Sequence, residues 1–293
     1  MRRTAIIGPG RVGTALGIAL DRAGYPVVAV AGRGRDALDA FCRRLPGAVP
    51  LAAAAAARTA ELVVVCVPDD AVAAVVRGVA RDDGVAEGSR WVHVAGGFDV
   101  EVLRPARVAG ARVAACHPAH TFPDPDAGAD SLAGVSWAVT ADDADLGWAR
   151  VLVTDLRGSP VTVAAGSRTL YHTGLVVGAN ATSSVVTLAR DLLLGAGVSD
   201  PSAFLGTLAT TAAGNAAQRG AEALTGPVRR GDAGTLASQL EELRTAMPEA
   251  VDAYLELARL ALRHARRAGL DPDAAAAVAR VLDATDSRGG GGD

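Results

Sequence analysis

The sequence predicts an α/β protein, a doubly wound Rossmann-type parallel sheet followed by an all-helical C-terminal domain. Three observations carry this. The chain opens with an apolar run that ends in a glycine-rich turn, Thr4-Ala-Ile-Ile-Gly8-Pro-Gly10-Arg-Val-Gly13, and passes straight into a helix-like stretch. Short strand-like and helix-like segments then alternate through the first half, as a parallel sheet with helical crossovers requires. From about Gly166 only long helical patterns remain.

The first strand, 4–8, and helix 11–23 flank a turn with the order a dinucleotide site needs. Gly8 permits the tight turn, Gly10 lets a pyrophosphate approach the backbone, and Gly13 lets the helix pack closely on the strand. Pro9, Arg11 and Val12 complete the turn, and the helix N-terminus faces the phosphates. The second strand, 26–31, ends at Gly32-Arg33-Gly34-Arg35. A site for NAD places an acid about 20 residues beyond the glycines. Here Arg33 and Arg35 stand in that region, and a guanidinium fork pairs with a phosphate, so the 2′-phosphate of NADP is favoured over NAD. The bland alternative is two solvated charges.

Helix 34–44 follows, and the alanine run 52–57 reads as low complexity. Strand 61–67 is continuously apolar, as expected of a sheet covered on both faces. It ends at Val67-Pro68-Asp69-Asp70, where the backbone of Val67 and Pro68 should lie beside the cofactor and the two aspartates read as caps of helix 70–81. Strand 90–95 brings Ala95 and Gly96 to the same edge; His93 either faces the substrate or is a core histidine. After helix 99–109, strand 112–116 presents His117 to a substrate cleft. His117 and His120 lack a third ligand cluster, so no metal is expected. Strand 136–140, helix 142–156 and strand 160–163 complete a dinucleotide-binding domain over 1–165.

The second domain, 166–285, is read as helices 167–195, 200–221, 233–246, 248–267 and 272–285, with a disordered tail over 286–293. Asp-Pro pairs at 200–201 and 271–272 look like helix starts. The stretch between Arg168 and Arg190 is uncharged and long enough to span a bilayer, but His172, Asn180 and its hydroxyl residues favour a buried helix. At about 100° per residue, His172 and Asn180 are offset by about 80° and can face one cleft. The segment 223–232 reads as a structured loop, in which Arg230 either pairs with Asp232 or holds a substrate carboxylate.

Composition narrows the function. Of 293 residues, 50% are hydrophobic, 21% charged and 3% aromatic, with a net charge of −3. That is a globular chain without the basic stripe or stacking platforms of a nucleic-acid binder. Cys42, Cys66 and Cys116 are scattered in apolar runs and read as reduced, buried thiols. With a core strand at the very start and no signal peptide, a cytoplasmic protein is expected. All 29 basic residues are arginine. A lysine Schiff base, lysine general acid or P-loop lysine is therefore excluded.

The glycine turn, Val67-Pro-Asp-Asp70, the His93 strand end, His117-Pro with Phe122, Tyr171-His172 through Asn180, and Leu224-Thr-Gly-Pro227 with Arg230-Gly-Asp232 form one ordered set. On these motifs, over about residues 3–285, the chain resembles the Rossmann-like NADP-binding oxidoreductases with a helical C-terminal domain of unknown function, within the 6-phosphogluconate dehydrogenase-like group. The resemblance implies an oxidoreductase, read here as a reductase or dehydrogenase acting on a small carbonyl or imine substrate that bears a carboxylate. It implies that His172 stands where relatives carry a catalytic lysine eight residues before an asparagine, here Asn180. Ala95 departs from the serine frequent in relatives. By analogy of fold, a homodimer through the helical domain is expected. The competing expectation is a non-catalytic NADP-binding sensor or partner-binding protein. A methyltransferase is disfavoured, because its nucleoside wants an acid where Arg33 stands.

Overall fold

The computed structural model describes residues 2–286 and divides into two compact units, one running to Gly178 and the other starting at Ala179. Of the tail read as disordered, 287–293 lie outside the described residues, and Asp286 is the last residue of the final helix.

The first unit runs β1 (Thr4–Ile7), α1 (Arg11–Arg22), β2 (Val27–Ala31), α2 (Arg35–Arg44), β3 (Val49–Pro50), α3 (Ala53–Arg58), β4 (Leu62–Val65) and α4 (Asp69–Arg81). It continues through β5 (Arg90–His93), α5 (Arg104–Val108), β6 (Arg112–Pro118), α6 (Pro125–Asp130), β7 (Ser136–Thr140), α7 (Asp143–Asp155), β8 (Ser159–Thr162) and α8 (Arg168–Val176). One eight-stranded sheet has the order β3-β2-β1-β4-β5-β6-β7-β8. Its first six strands follow the doubly wound order 3-2-1-4-5-6, with ligands expected at the carboxyl ends of the strands.

Strand periodicity explains the two-faced core. Ile6, Val30, Val64, Val92 and Ala114 point to one face, against Leu16, Phe41 and Trp148. Their neighbours Ala5, Ile7, Ala29, Val63 and Val113 point to the other, against Ala56, Val76 and Leu103. Alternation within a continuously apolar run is what burial on both faces demands.

Four local expectations are corrected. First, the alanine run is α3, which buries Ala56 and Ala57; alanine costs no side-chain entropy in a helix and fits a shallow gap against the sheet. Second, β7 is antiparallel to β6, with Pro118 opposite Trp137. A parallel return must carry the chain back along a strand of about 23 Å. The six residues of α6 advance only about 9 Å, so β7 starts at the carboxyl edge and runs the other way. Third, Asp69 and Asp70 do not cap α4; they lie in its first turn with no cap hydrogen bond, where they complement the helix dipole. Fourth, only Cys116 of the three free thiols is fully buried; Cys42 and Cys66 are partly so.

In the second unit, α9 (Thr182–Gly195), α10 (Ser202–Arg219), α11 (Gly226–Arg230), α12 (Ala233–Ala246), α13 (Val251–Arg267) and α14 (Pro272–Asp286) are joined by short turns. The segment read as a loop over 223–232 contains α11, with Pro227 in its first turn. Asp232 caps α12, accepting from the Thr235 N–H at 3.0 Å and its hydroxyl at 2.7 Å. Leu236, Leu240, Leu255, Leu262 and Val278 form the core. The long helix expected over 167–195 is interrupted by a π-helical turn, Val177–Ala181. A wider turn changes the angular step per residue, so the 80° offset between His172 and Asn180 does not apply.

Candidate active site

Two arrangements in the first unit lie at the carboxyl edge of the sheet. The first is a cleft of about 580 Å³ that Gly8, Pro9, Gly10, Arg33, Val67 and Pro68 help to line. Its floor is fixed by sterics. Gly8 has φ +107°, and a β-carbon there would lie 2.5 Å from the Cys66 carbonyl oxygen. A β-carbon on Gly13 would meet the Gly8 carbonyl, so the helix sits as close to the turn as backbone allows. No heavy atom lies within 4 Å of the place where a Gly10 side chain would project. That leaves the N-terminus of α1 bare, as a pyrophosphate cradle must be. Arg11 is exposed and Val12 half-buried in the first turn of α1. Arg33 reaches the rim, and among the described residues it is in no ion pair. Arg35 does not line the cleft: its side chain is 92% exposed and stands 4.0 Å from Asp39. The cleft thus offers one guanidinium to a phosphate rather than two.

The second arrangement is built around Arg168, the first residue of α8 and only 1% exposed. Among the described residues no carboxylate pairs with it. Nε donates to the Phe98 carbonyl at 3.0 Å, Nη2 to the Ala95 carbonyl at 2.7 Å, and Nη1 to the Ala138 carbonyl at 3.2 Å and to Thr140 Oγ1 at 3.5 Å. Each of the three nitrogens has an acceptor, which makes a buried cation tolerable. Here it binds the β5 exit, with Ala95 in it, to β7.

One turn on, Tyr171 lies with its ring 5.6 Å from that guanidinium. Its hydroxyl is 2.9 Å from His117 Nδ1, so β6 and α8 are joined by this hydrogen bond. The rings of His172 and His117 meet edge-on at 5.7 Å between centroids. His172 rests on the paired glycines, and any side chain on Gly96 would collide with its imidazole. Burial, helped by Arg168 and the neighbouring histidines, pushes His117 down to about 4. Burial raises Tyr171, against the pull of Arg168. At neutral pH the pair is therefore an uncharged imidazole bonded to a protonated phenol, which can pass a proton but holds no net charge.

His93 and His120 are each held by a local hydrogen bond. His93 is 0% exposed, its Nε2 lies 2.9 Å from the Asp99 carbonyl, and burial pushes it down to about 4. Of the two readings open for it, this is the geometry of a neutral core histidine. His120 bonds to Ser131 at 2.8 Å. Among the described residues, no three His, Cys, Asp or Glu are grouped to hold a metal, and no helix is long and apolar enough to cross a membrane. Asn180 lies exposed in the π-helical turn, and Arg230 is exposed at the end of α11, both in the second unit. Reasoning from sequence missed Arg168 and Tyr171. Their spacing of three puts both on one face of α8, but marks neither as functional.

Comparison with known proteins adds to this geometry. A family model for a Rossmann-like domain matches residues 2–118, and the model of a domain of unknown function, DUF2520, matches residues 135–261. No curated protein matches the chain significantly. Among solved structures, a Bacteroides fragilis protein classed as an NADP oxidoreductase superposes with TM-score 0.74 at 22% identity, covering 89% of this chain and 97% of the other. The imine reductase of Myxococcus stipitatus, solved with NADP+, gives 0.64 at 19%, covering 89% and 94%. A reductive aminase of Aspergillus terreus, solved with NADPH and ethyl-5-oxohexanoate, gives 0.57 at 21%, covering 100% and 96%. At such identities the likeness is one of fold. The two family models thus match the two parts of the chain in the order that its motifs resembled, a Rossmann-like domain and then a domain of unknown function.

Proposed function

We propose that this protein is an NADP-dependent oxidoreductase acting on a small carbonyl or imine. The observation that carries the reading is Arg33, a cation outside any ion pair among the described residues, at the rim of a cleft closed by the glycine turn. The His117–Tyr171–His172 cluster lies in the same unit. The related folds solved with NADP+ or NADPH support it.

When bound, the nicotinamide supplies or accepts the hydride. The chain's own residues do the rest. The bare N-terminus of α1 binds the pyrophosphate, and Arg33 pairs with the 2′-phosphate. His172 exchanges a proton with the substrate heteroatom, and His117, hydrogen-bonded to Tyr171, packs edge-on against the His172 ring and holds it in place. Asn180 as a ligand for substrate oxygen and Arg230 as a ligand for a substrate carboxylate are proposed on their chemistry alone. The free thiols fit a reducing compartment, the cytoplasm.

The test is NADPH consumption with a panel of cyclic imines and 2-keto acids, alongside titration of both dinucleotides. Arg33→Ala should weaken NADPH by about tenfold to a hundredfold and leave NADH unmoved, as expected for a lost charged contact. Tight NADPH binding with no turnover across the panel would instead support a non-catalytic binding protein.

We also propose a homodimer formed through the helical unit. Helices α9 and α10 contain no buried residue, and Phe204 and Leu208 are 61% and 65% exposed. Apolar helices left this bare are covered in a stable protein. A monomer by light scattering at micromolar concentration would refute it.

A further inference from the structure

The position after β2 is where a dinucleotide site declares its preference, because an acid at the end of this strand reads the bare ribose of NAD. In this chain β2 ends at Ala31, and the two residues that follow it, Gly32 and Arg33, both line the cleft. The backbone at position 32 gives no reason for glycine: Gly32 is absent from the glycines with positive φ. The reason lies across the turn. A β-carbon on residue 32 would lie 2.5 Å from Pro9 Cδ and 2.8 Å from Pro9 Cγ. A pyrrolidine ring cannot swing aside as a flexible side chain does. Nor can the turn retreat, because the Gly8 N–H donates to the Ala31 carbonyl at 2.8 Å, and the Cys66 N–H donates to the Ile7 carbonyl at 2.7 Å. Two positions on, at Gly34, the nearest atom to such a β-carbon is 4.0 Å away, so the obstruction is confined to residue 32.

We propose that Pro9 and Gly32 form a steric lock on cofactor choice. The proline ring fills the space into which any side chain at position 32 must grow. An acid that would read the free ribose diol is thereby excluded, and discrimination is left to Arg33 and a 2′-phosphate. This rests on the NADP reading and explains why that preference would resist a single substitution.

The experiment is a double-mutant cycle on the full-length protein, with NADPH and NADH titrated by calorimetry and the melting temperature recorded for each variant. Gly32→Ala adds only the β-carbon and should weaken NADPH by at least about tenfold. In a Pro9→Ala background the same change should cost less than about threefold. Gly32→Asp alone should gain no affinity for NADH, whereas Pro9→Ala with Gly32→Asp should bind NADH at least about tenfold more tightly than Gly32→Asp alone. Equal cost of Gly32→Ala in both backgrounds, or NADH binding gained by Gly32→Asp alone, overturns the lock. If a Gly32 variant fails to fold, recovery of its melting transition by Pro9→Ala supports the lock and continued failure overturns it. If the unsubstituted protein binds neither dinucleotide, the cofactor reading fails, and the melting temperatures still decide whether positions 9 and 32 collide.

Discussion

Replacing Arg168 by methionine is expected to lower the unfolding free energy by about 3–5 kcal/mol, read as a fall in the urea midpoint. The size follows from what is left behind. Methionine fills much of the stem's volume but donates nothing, so the carbonyls of Ala95, Phe98 and Ala138 lose a buried donor together. Arg168→Lys keeps the charge but lacks the planar fork that reaches three carbonyls at once, and should recover only part of the loss.

The same residue shapes the acid response. His93 and His117 both lie near 4 in the folded protein, against about 6.5 when unfolded. Between these values the unfolded chain binds more protons, so stability rises with pH. The contribution is complete above about 6.5 and is lost as pH falls towards 4. Arg168 helps to push both histidines down, so the methionine variant should show a shallower acid slope as well as a lower plateau. An unchanged urea midpoint would mean that the three carbonyls find other donors.

The second large effect is catalytic. His172→Ala should lower kcat by about a hundredfold to ten-thousandfold, the usual worth of a positioned acid or base, with dinucleotide affinity little changed. Tyr171→Phe removes only the hydroxyl that meets His117 Nδ1 and leaves the ring against Arg168. It should lower kcat by about tenfold to a hundredfold without moving the melting temperature by more than a few degrees. Turnover unaffected by either change would take this cluster out of the proton transfer and leave it as packing.

The glycine-turn cleft was legible in the sequence because its floor is made of consecutive residues. Gly8, Gly10 and Gly13 act through local geometry, and the apolar runs on either side have the length of strands. The His117–Tyr171–His172 cluster was only half legible. His117 and His172 were visible as polar residues in apolar surroundings, but Tyr171 as the partner of His117 depends on how α8 meets β6, which no spacing encodes. Arg168 gave no warning, since every cation of this chain is an arginine and a buried one looks like the rest. The direction of β7 was hidden for another reason. It turns on the shortness of α6, a six-residue helix without a long periodic pattern. His93 stood open until its exposure was known.

The reversed β7 bears on how this protein can be taken apart and recombined. Because β7 begins beside the end of β6, its Ala138 carbonyl is within reach of Arg168, and α8 is stitched to the sheet through that contact. The stretch matched by the helical family model begins at residue 135. It therefore carries off two strands of the sheet together with Arg168, Tyr171 and His172. A chimera that exchanges modules between relatives at that boundary would separate His117 from its hydroxyl partner. A seam placed after Gly178 would transplant the sheet with its His117–Tyr171–His172 cluster whole.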